Sequence, residues 1–170
     1  MEFQKIYDWK DEKVSEILDA YQNSFPPDER RDNEQLQKLF NNENAEIISI
    51  LNENENIGYL ILWKLSDFVF IEHFEIFECF RGKSFGSDIL QNLLQKHPKI
   101  VLESEPDYLS NIAAKRISFY KRNGFKVIDE QYIQPSYGEG KKPLTLFLLS
   151  SETTENVEKI KEEIYQKVYS

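Results

Sequence analysis

The chain has 170 residues, 21 basic and 30 acidic, giving a net charge of −9; 40% of residues are hydrophobic and 14% aromatic, which argues for one folded domain with a sizeable core. An acidic surface disfavours nucleic acid and anionic membranes as partners and tolerates cationic small molecules. No apolar run reaches membrane-spanning length and no signal-peptide pattern stands at the start, so a cytoplasmic location is expected, and the single Cys79 fits a reducing compartment.

Phe3 to Tyr7 reads as a short strand. Val14, Ile17, Leu18, Tyr21 and Phe25 recur at helical spacing until Pro26-Pro27 stops the helix. Asp28 to Arg31 is a charged loop, and Leu36, Leu39 and Phe40 mark a short second helix. Glu46 to Leu51 and Ile57 to Leu65 are apolar runs joined by the polar loop Asn52 to Asn56, a hairpin pattern that Phe68 to Phe77 extends into a meander. Ile89, Leu90, Leu93 and Leu94 define a helix that ends at Pro98, and Ile100 to Leu102 begins another strand. Ser110 caps a helix bearing Ala113, Ile117 and Tyr120, which Asn123-Gly124 closes. Phe125 to Ile133 and Leu144 to Leu149 are strands around a loop from Pro135 to Pro143. Val157, Ile160, Ile164 and Val168 form the apolar stripe of a last helix. The pattern is α+β, with a mixed, mostly antiparallel sheet flanked by helices.

The junction Arg81-Gly82-Lys83-Ser84-Phe85-Gly86 stands between a strand and a helix. Glycines let the backbone turn tightly, and the first turn of a helix offers unpaired N–H groups to an anion. Gly82-Lys83-Ser84 is not a Walker A loop, because the position five residues before Gly82 is Phe77. Gly82 and Gly86 do not give the Gly-x-Gly-x-x-Gly dinucleotide spacing either.

Several residues could carry chemistry. In a regular strand Phe68, Phe70, Glu72, Phe74 and Ile76 share one face, which sets Glu72 among apolar side chains. Desolvation there would raise its pKa toward the range of a general base, unless it is solvated or paired with an arginine. The same alternation sends His73 to the opposite face with Ile71 and Glu75, as a hydrogen-bonded structural residue. Glu103 and Glu105 lie at a strand end, where a base beside a cleft or simple solubility would each account for them. Tyr120 is either a core residue or a proton donor toward a basic leaving group. Neither Cys79 nor His97 has an activating neighbourhood, and no Cys or His pair has metal-ligand spacing.

In this order the pieces resemble the GCN5-related N-acetyltransferases, the GNAT superfamily, from about Phe3 to Leu149. Ile71 to Ile76 followed by Phe80 to Gly86 looks like the family's central strand and its Gln/Arg-x-x-Gly-x-Gly/Ala turn, and Phe119 to Phe125 looks like the tyrosine-bearing helix that ends in Gly-Phe. Two departures stand out: Ser84 replaces the first turn glycine, and Ala113 replaces the asparagine often found seven residues before the tyrosine.

The resemblance implies acetyl-CoA as cosubstrate. The amides of Gly82, Lys83, Ser84, Phe85, Gly86 and Ser87 would hold its pyrophosphate, with Arg81 and Lys83 adding charge, and the backbone of Phe74, Glu75 and Ile76 would pair with pantetheine. Tyr120 would be the general acid for the thiolate. Glu72 and Glu103 both match positions of a base, and the apolar face favours Glu72. Arg30, Tyr132 and Tyr137 would wall the acceptor site. The activity implied is direct acetyl transfer to a primary amine of a small molecule or protein by residues 1–150, with residues 151–170 an amphipathic helix packed on the domain or at a homodimer interface. Ser84 and Ala113 keep open a catalytically inactive CoA-binding module. The acidic charge and single domain count against a relative that uses charged tRNA.

Overall fold

The computed structural model describes all 170 residues. In chain order the elements are β1 (Glu2–Ile6), α1 (Glu12–Ser24), α2 (Asn33–Leu39), β2 (Ala45–Asn52), β3 (Glu55–Lys64), β4 (Val69–Ile76), α3 (Phe85–Lys96), β5 (Ile100–Ser104), α4 (Asn111–Arg122), β6 (Lys126–Gln134), β7 (Leu144–Ser150) and α5 (Val157–Lys167), with single 3-10 turns at Pro27–Glu29 and Glu78–Phe80. The seven strands form one sheet in the order β1-β2-β3-β4-β5-β7-β6. Every neighbouring pair is antiparallel except β4 and β5, which α3 joins as a parallel crossover. The mixed, mostly antiparallel sheet with flanking helices is the fold class read from the sequence.

Local chemistry sets the helix ends. Asp11, Asp32, Ser110 and Asn156 each accept a backbone N–H of the turn they open, and Asp32 with Gln35 completes a capping box. The β2–β3 connection is tighter than the polar run suggests. The strands leave only Glu53 and Asn54 between them, both at positive φ, as a two-residue hairpin turn requires.

The sheet separates two apolar cores. One face packs against α1, α2 and α5 through Ile17, Tyr21, Leu36, Leu39, Ile160 and Ile164. The other packs against α3 and α4 through Ile89, Leu93, Ile117 and Tyr120. Burying such side chains contributes about 1.5–3 kcal/mol each. The apolar stripe of α5 is therefore spent within the domain, and Val168, just after the helix, is buried in the same core.

One sequence expectation fails in β4. Ile61 pairs with His73 and Leu62 pairs with Ile71, so β4 carries an extra residue at Glu72. A bulge of this kind breaks the two-residue alternation. Phe70 faces the α1 side, while Phe74 and Ile76 pack against the α3–α4 core. His73 does not oppose Glu72: its ring lies against Tyr21, Phe25 and Tyr137, on the side to which Glu72 also turns. Glu75 joins them by accepting from the Tyr59 hydroxyl at 2.9 Å. The bulge thus gathers three polar side chains that regular alternation would have divided.

Candidate active site

The sheet forks beside the bulge. Pairing of β4 with β5 covers only Val69–Ile100, Phe70–Val101 and Ile71–Leu102. Beyond that, β4 keeps β3 as its neighbour to Ile76, and β5 keeps β7 to Ser104. From Glu72 to Ile76 the β4 backbone has no strand on its β5 side, so an extended ligand chain could add there. Glu72 and Glu103 are the first residues on the two arms.

Glu72 is not the uncompensated carboxylate that its apolar neighbours in sequence suggest. It is buried and accepts from Arg31 Nε at 2.8 Å, Trp63 Nε1 at 2.6 Å and the Tyr137 hydroxyl at 2.9 Å. Burial alone would push its pKa up, but the Arg31 guanidinium and the Trp63 N–H outweigh burial and hold it below the ordinary carboxylate value. Arg31 is itself buried, lies over the rings of Trp63 and Tyr137, and donates from Nη2 to the Val168 carbonyl at 2.6 Å. The expected rise in the Glu72 pKa is therefore reversed by an arginine whose neighbour Arg30 was the one singled out in sequence.

Glu103 has the opposite environment. Burial pushes its pKa up to about 8, against the pull of a hydrogen bond from the Tyr169 hydroxyl. Its Oε2 is shielded from solvent without a hydrogen-bond partner, and so is the nearby Tyr132 hydroxyl. His73 leaves a third such atom. Its Nε2 lies 3.0 Å from the Glu29 carbonyl and must carry the proton to bond it, so Nδ1 holds a free lone pair. Burial lowers the His73 pKa and keeps the ring neutral near pH 7.

The glycine-bearing turn lies at the open end of the β4 arm. Arg81 N–H bonds Glu78 O, and the Ser87 and Asp88 N–H groups bond Ser84 O, but the five amides from Gly82 to Gly86 donate to nothing in the chain. They are available to an anion at the start of α3. Ser87, expected among them, is already engaged. Gly82 has φ +78°, a conformation suited to glycine, and Ser84 at φ +65° adopts the left-handed region that costs an L-residue roughly 1–2 kcal/mol. Arg81 folds back instead of reaching outward: Nε donates to Ile76 O at 2.8 Å and Nη2 pairs with Glu75 Oε1 at 3.0 Å. Lys83 has no acidic partner and rides over the Phe80 ring.

Tyr120 projects from α4 into the second core, next to Phe119 and Phe125, and its hydroxyl has no hydrogen-bond partner in the chain. Burial raises its pKa, so it remains a proton donor at neutral pH. Ala113 is fully buried on the same helix. Of the expected acceptor-wall residues, Arg30 donates to the Phe25 carbonyl at 2.8 Å, Tyr137 serves Glu72, and Tyr132 is fully buried and stacked on Tyr165. Sequence reasoning missed Arg31, Trp63 and Tyr169. The first lies within a charged loop, the second within an apolar strand, and nothing local to the third points to Glu103.

A forked mixed sheet, a bulge on its central strand and an amide-lined turn into the crossover helix define a GNAT fold. The acetyltransferase (GNAT) family model matches residues 11–125. The chain belongs to that family. Among solved structures it is similar to a Bacteroides thetaiotaomicron protein assigned to the GNAT family, at 28% identity and a TM-score of 0.91, covering 99% of this chain and 98% of that one. A GNAT family acetyltransferase from Elizabethkingia anophelis with acetyl-CoA bound shares the fold at 16% identity and a TM-score of 0.60, covering 89% of this chain and 97% of that one. A Bacillus subtilis acetyltransferase in complex with CoA does so at 14% identity and a TM-score of 0.60, covering 89% and 98%. No curated protein matches the chain.

Proposed function

We propose that this protein is an N-acetyltransferase that moves an acetyl group from acetyl-CoA to a primary amine of a small molecule or protein. The observation that carries the reading is the run of five unclaimed amides, Gly82 to Gly86, at the mouth of an unpaired strand edge. These residues fit the cosubstrate, and so does the free β4 edge at Phe74 and Glu75. Ile76 fits less well, since its carbonyl already accepts from Arg81. Acetyl-CoA supplies the activated acyl group as a thioester.

The protein's own groups would do the rest. A primary amine is only about 1 in 10³ neutral at physiological pH, so freeing its lone pair costs roughly 4 kcal/mol. Glu103 is the base we favour, directly or through one water, because its raised pKa suits proton removal near neutrality. Glu72, ionised and fully hydrogen-bonded, instead fixes Arg31 and Tyr137 around the fork. As the amine nitrogen bonds the acyl carbon and the carbon–sulfur bond breaks, the amine proton passes to Glu103 and the Tyr120 hydroxyl proton to the thiolate sulfur. Holding both reactants along one strand supplies the remaining acceleration as proximity.

Incubation with acetyl-CoA, a thiol reporter and a panel of amines tests this. Free CoA released only when an amine is present supports the reading. Tight CoA binding without turnover across the panel would favour the inactive module that Ser84 and Ala113 suggest. No calorimetric heat at millimolar CoA would remove the cosubstrate itself.

A further inference from the structure

The segment after α5 enters the fork. Arg31 Nη2 holds the Val168 carbonyl at 2.6 Å, Val168 is 2% exposed, and the Tyr169 hydroxyl then reaches Glu103 Oε1. Proton counting shows which way that hydroxyl points. Tyr137 donates its only hydroxyl proton to Glu72 at 2.9 Å, so its 3.4 Å contact with the Tyr169 oxygen receives none from Tyr137. Tyr169 is left to give its proton to Glu103. The other groups facing Glu103 are the carboxylates of Glu72 and Glu29 and the hydroxyls of Tyr132, Tyr137 and Tyr165. Of these only the Tyr132 hydroxyl is close enough to help lower the Glu103 pKa, and it lacks the geometry of a formed hydrogen bond.

We propose that Tyr169 is a positioning residue for Glu103, tethering one carboxylate oxygen and favouring the ionised form so that Oε2 is left for the acceptor's proton. This rests on the reading of Glu103 as the base. The physical logic is that a donor to a carboxylate favours its charged state, whereas burial and the two neighbouring carboxylates oppose it. Without Tyr169, Glu103 would be a weaker acid and, at neutral pH, would be ionised less often and so be a scarcer base.

The test is a ¹³C NMR titration of glutamate-labelled protein, with Glu103 assigned by its loss in Glu103→Gln. In Tyr169→Phe the Glu103 inflection should move up by about one pH unit, the worth of one hydrogen bond to a charged acceptor. Tyr165→Phe removes a hydroxyl from the same segment that bonds the Ile133 carbonyl, and should leave the inflection in place. An unmoved inflection in Tyr169→Phe, or an equal shift in Tyr165→Phe, would overturn the proposal. With the amine that turns over best in the panel, kcat/KM of Tyr169→Phe should fall roughly tenfold at pH 7 and recover at high pH; a loss equal at every pH would mean mere structural damage. The two readings fail separately. If Glu103→Gln keeps the parent's pH–rate profile, the base assignment is wrong whatever the titration shows. If Glu103→Gln abolishes activity and Tyr169→Phe shifts nothing, only the role of Tyr169 falls.

Discussion

Glu72 and Glu103 follow the last paired residues, Ile71 and Leu102, on opposite arms of the fork, yet their carboxyls are driven in opposite directions. Arg31 and Trp63 hold Glu72 ionised, and burial pushes Glu103 up to about 8. Two like residues are thereby divided between a fixed anion and a titrating one, and only the second can exchange a proton near neutral pH.

The Glu103 shift has a signature in stability. A folded pKa of about 8, above the ordinary 4.5, means that the protonated form favours the fold. That contribution is complete below about pH 4.5 and is lost as pH rises through 8. Glu103→Gln should therefore melt with the parent at pH 5 and above it at pH 9, by about 2 kcal/mol once the residue's partial solvent access is allowed for, or roughly 4–8 °C in Tm. A difference independent of pH would contradict the assignment.

Glu72 should behave in the opposite sense. Its depressed pKa contributes stability above the ordinary carboxyl range, and the contribution fades as pH falls through the folded value. Glu72→Gln leaves Arg31 buried without its anion and should cost about 3 kcal/mol at pH 7 in urea unfolding, and less at pH 4. An equal cost at both pH values would show that the ion pair is not its source.

Tyr120→Phe separates catalysis from folding. Its hydroxyl bonds nothing in the chain, so Tm should stay within a degree or so. If it protonates the departing thiolate, kcat should drop about 10²-fold while calorimetric CoA affinity holds. A parent-like kcat would leave the proton donor to another group.

Ser84→Gly should stabilise the protein by about 1 kcal/mol, because only the left-handed angle at this position, φ +65°, penalises serine. The unclaimed amide that we propose for the cosubstrate is retained, so CoA affinity should hold or improve. Thermal melts with and without CoA check both points, and a lower Tm would mean that the serine side chain has a role of its own.

Element order, the strand–turn–helix junction and the tyrosine helix were legible in the sequence because each has a local signal: alternation, a cap, or a glycine at positive φ such as Gly82 or Gly124. The bulge was not. One extra residue at Glu72 leaves the sequence alternating while reversing the faces of everything after it, and only the pairing of Ile61 with His73 exposes the slip. The same limit hid Arg31, which reads like the other residues of a charged loop until the fold supplies Glu72. Tyr169 carries no local signal for a partner 66 positions away.

The bond from Arg31 to Val168 joins positions 137 apart, so it orders assembly in time. On the ribosome the guanidinium is exposed long before its carbonyl partner has been made, and α5 emerges only after all seven strands. We expect a nascent chain halted before Val157 to hold paired strands, visible by circular dichroism, while an oily ledge along β6, where Tyr165 stacks on Tyr132, stays open to chaperones and Glu103 lacks its tyrosine. Loss of the strand signal in such a halted chain would instead make α5 a prerequisite of the sheet.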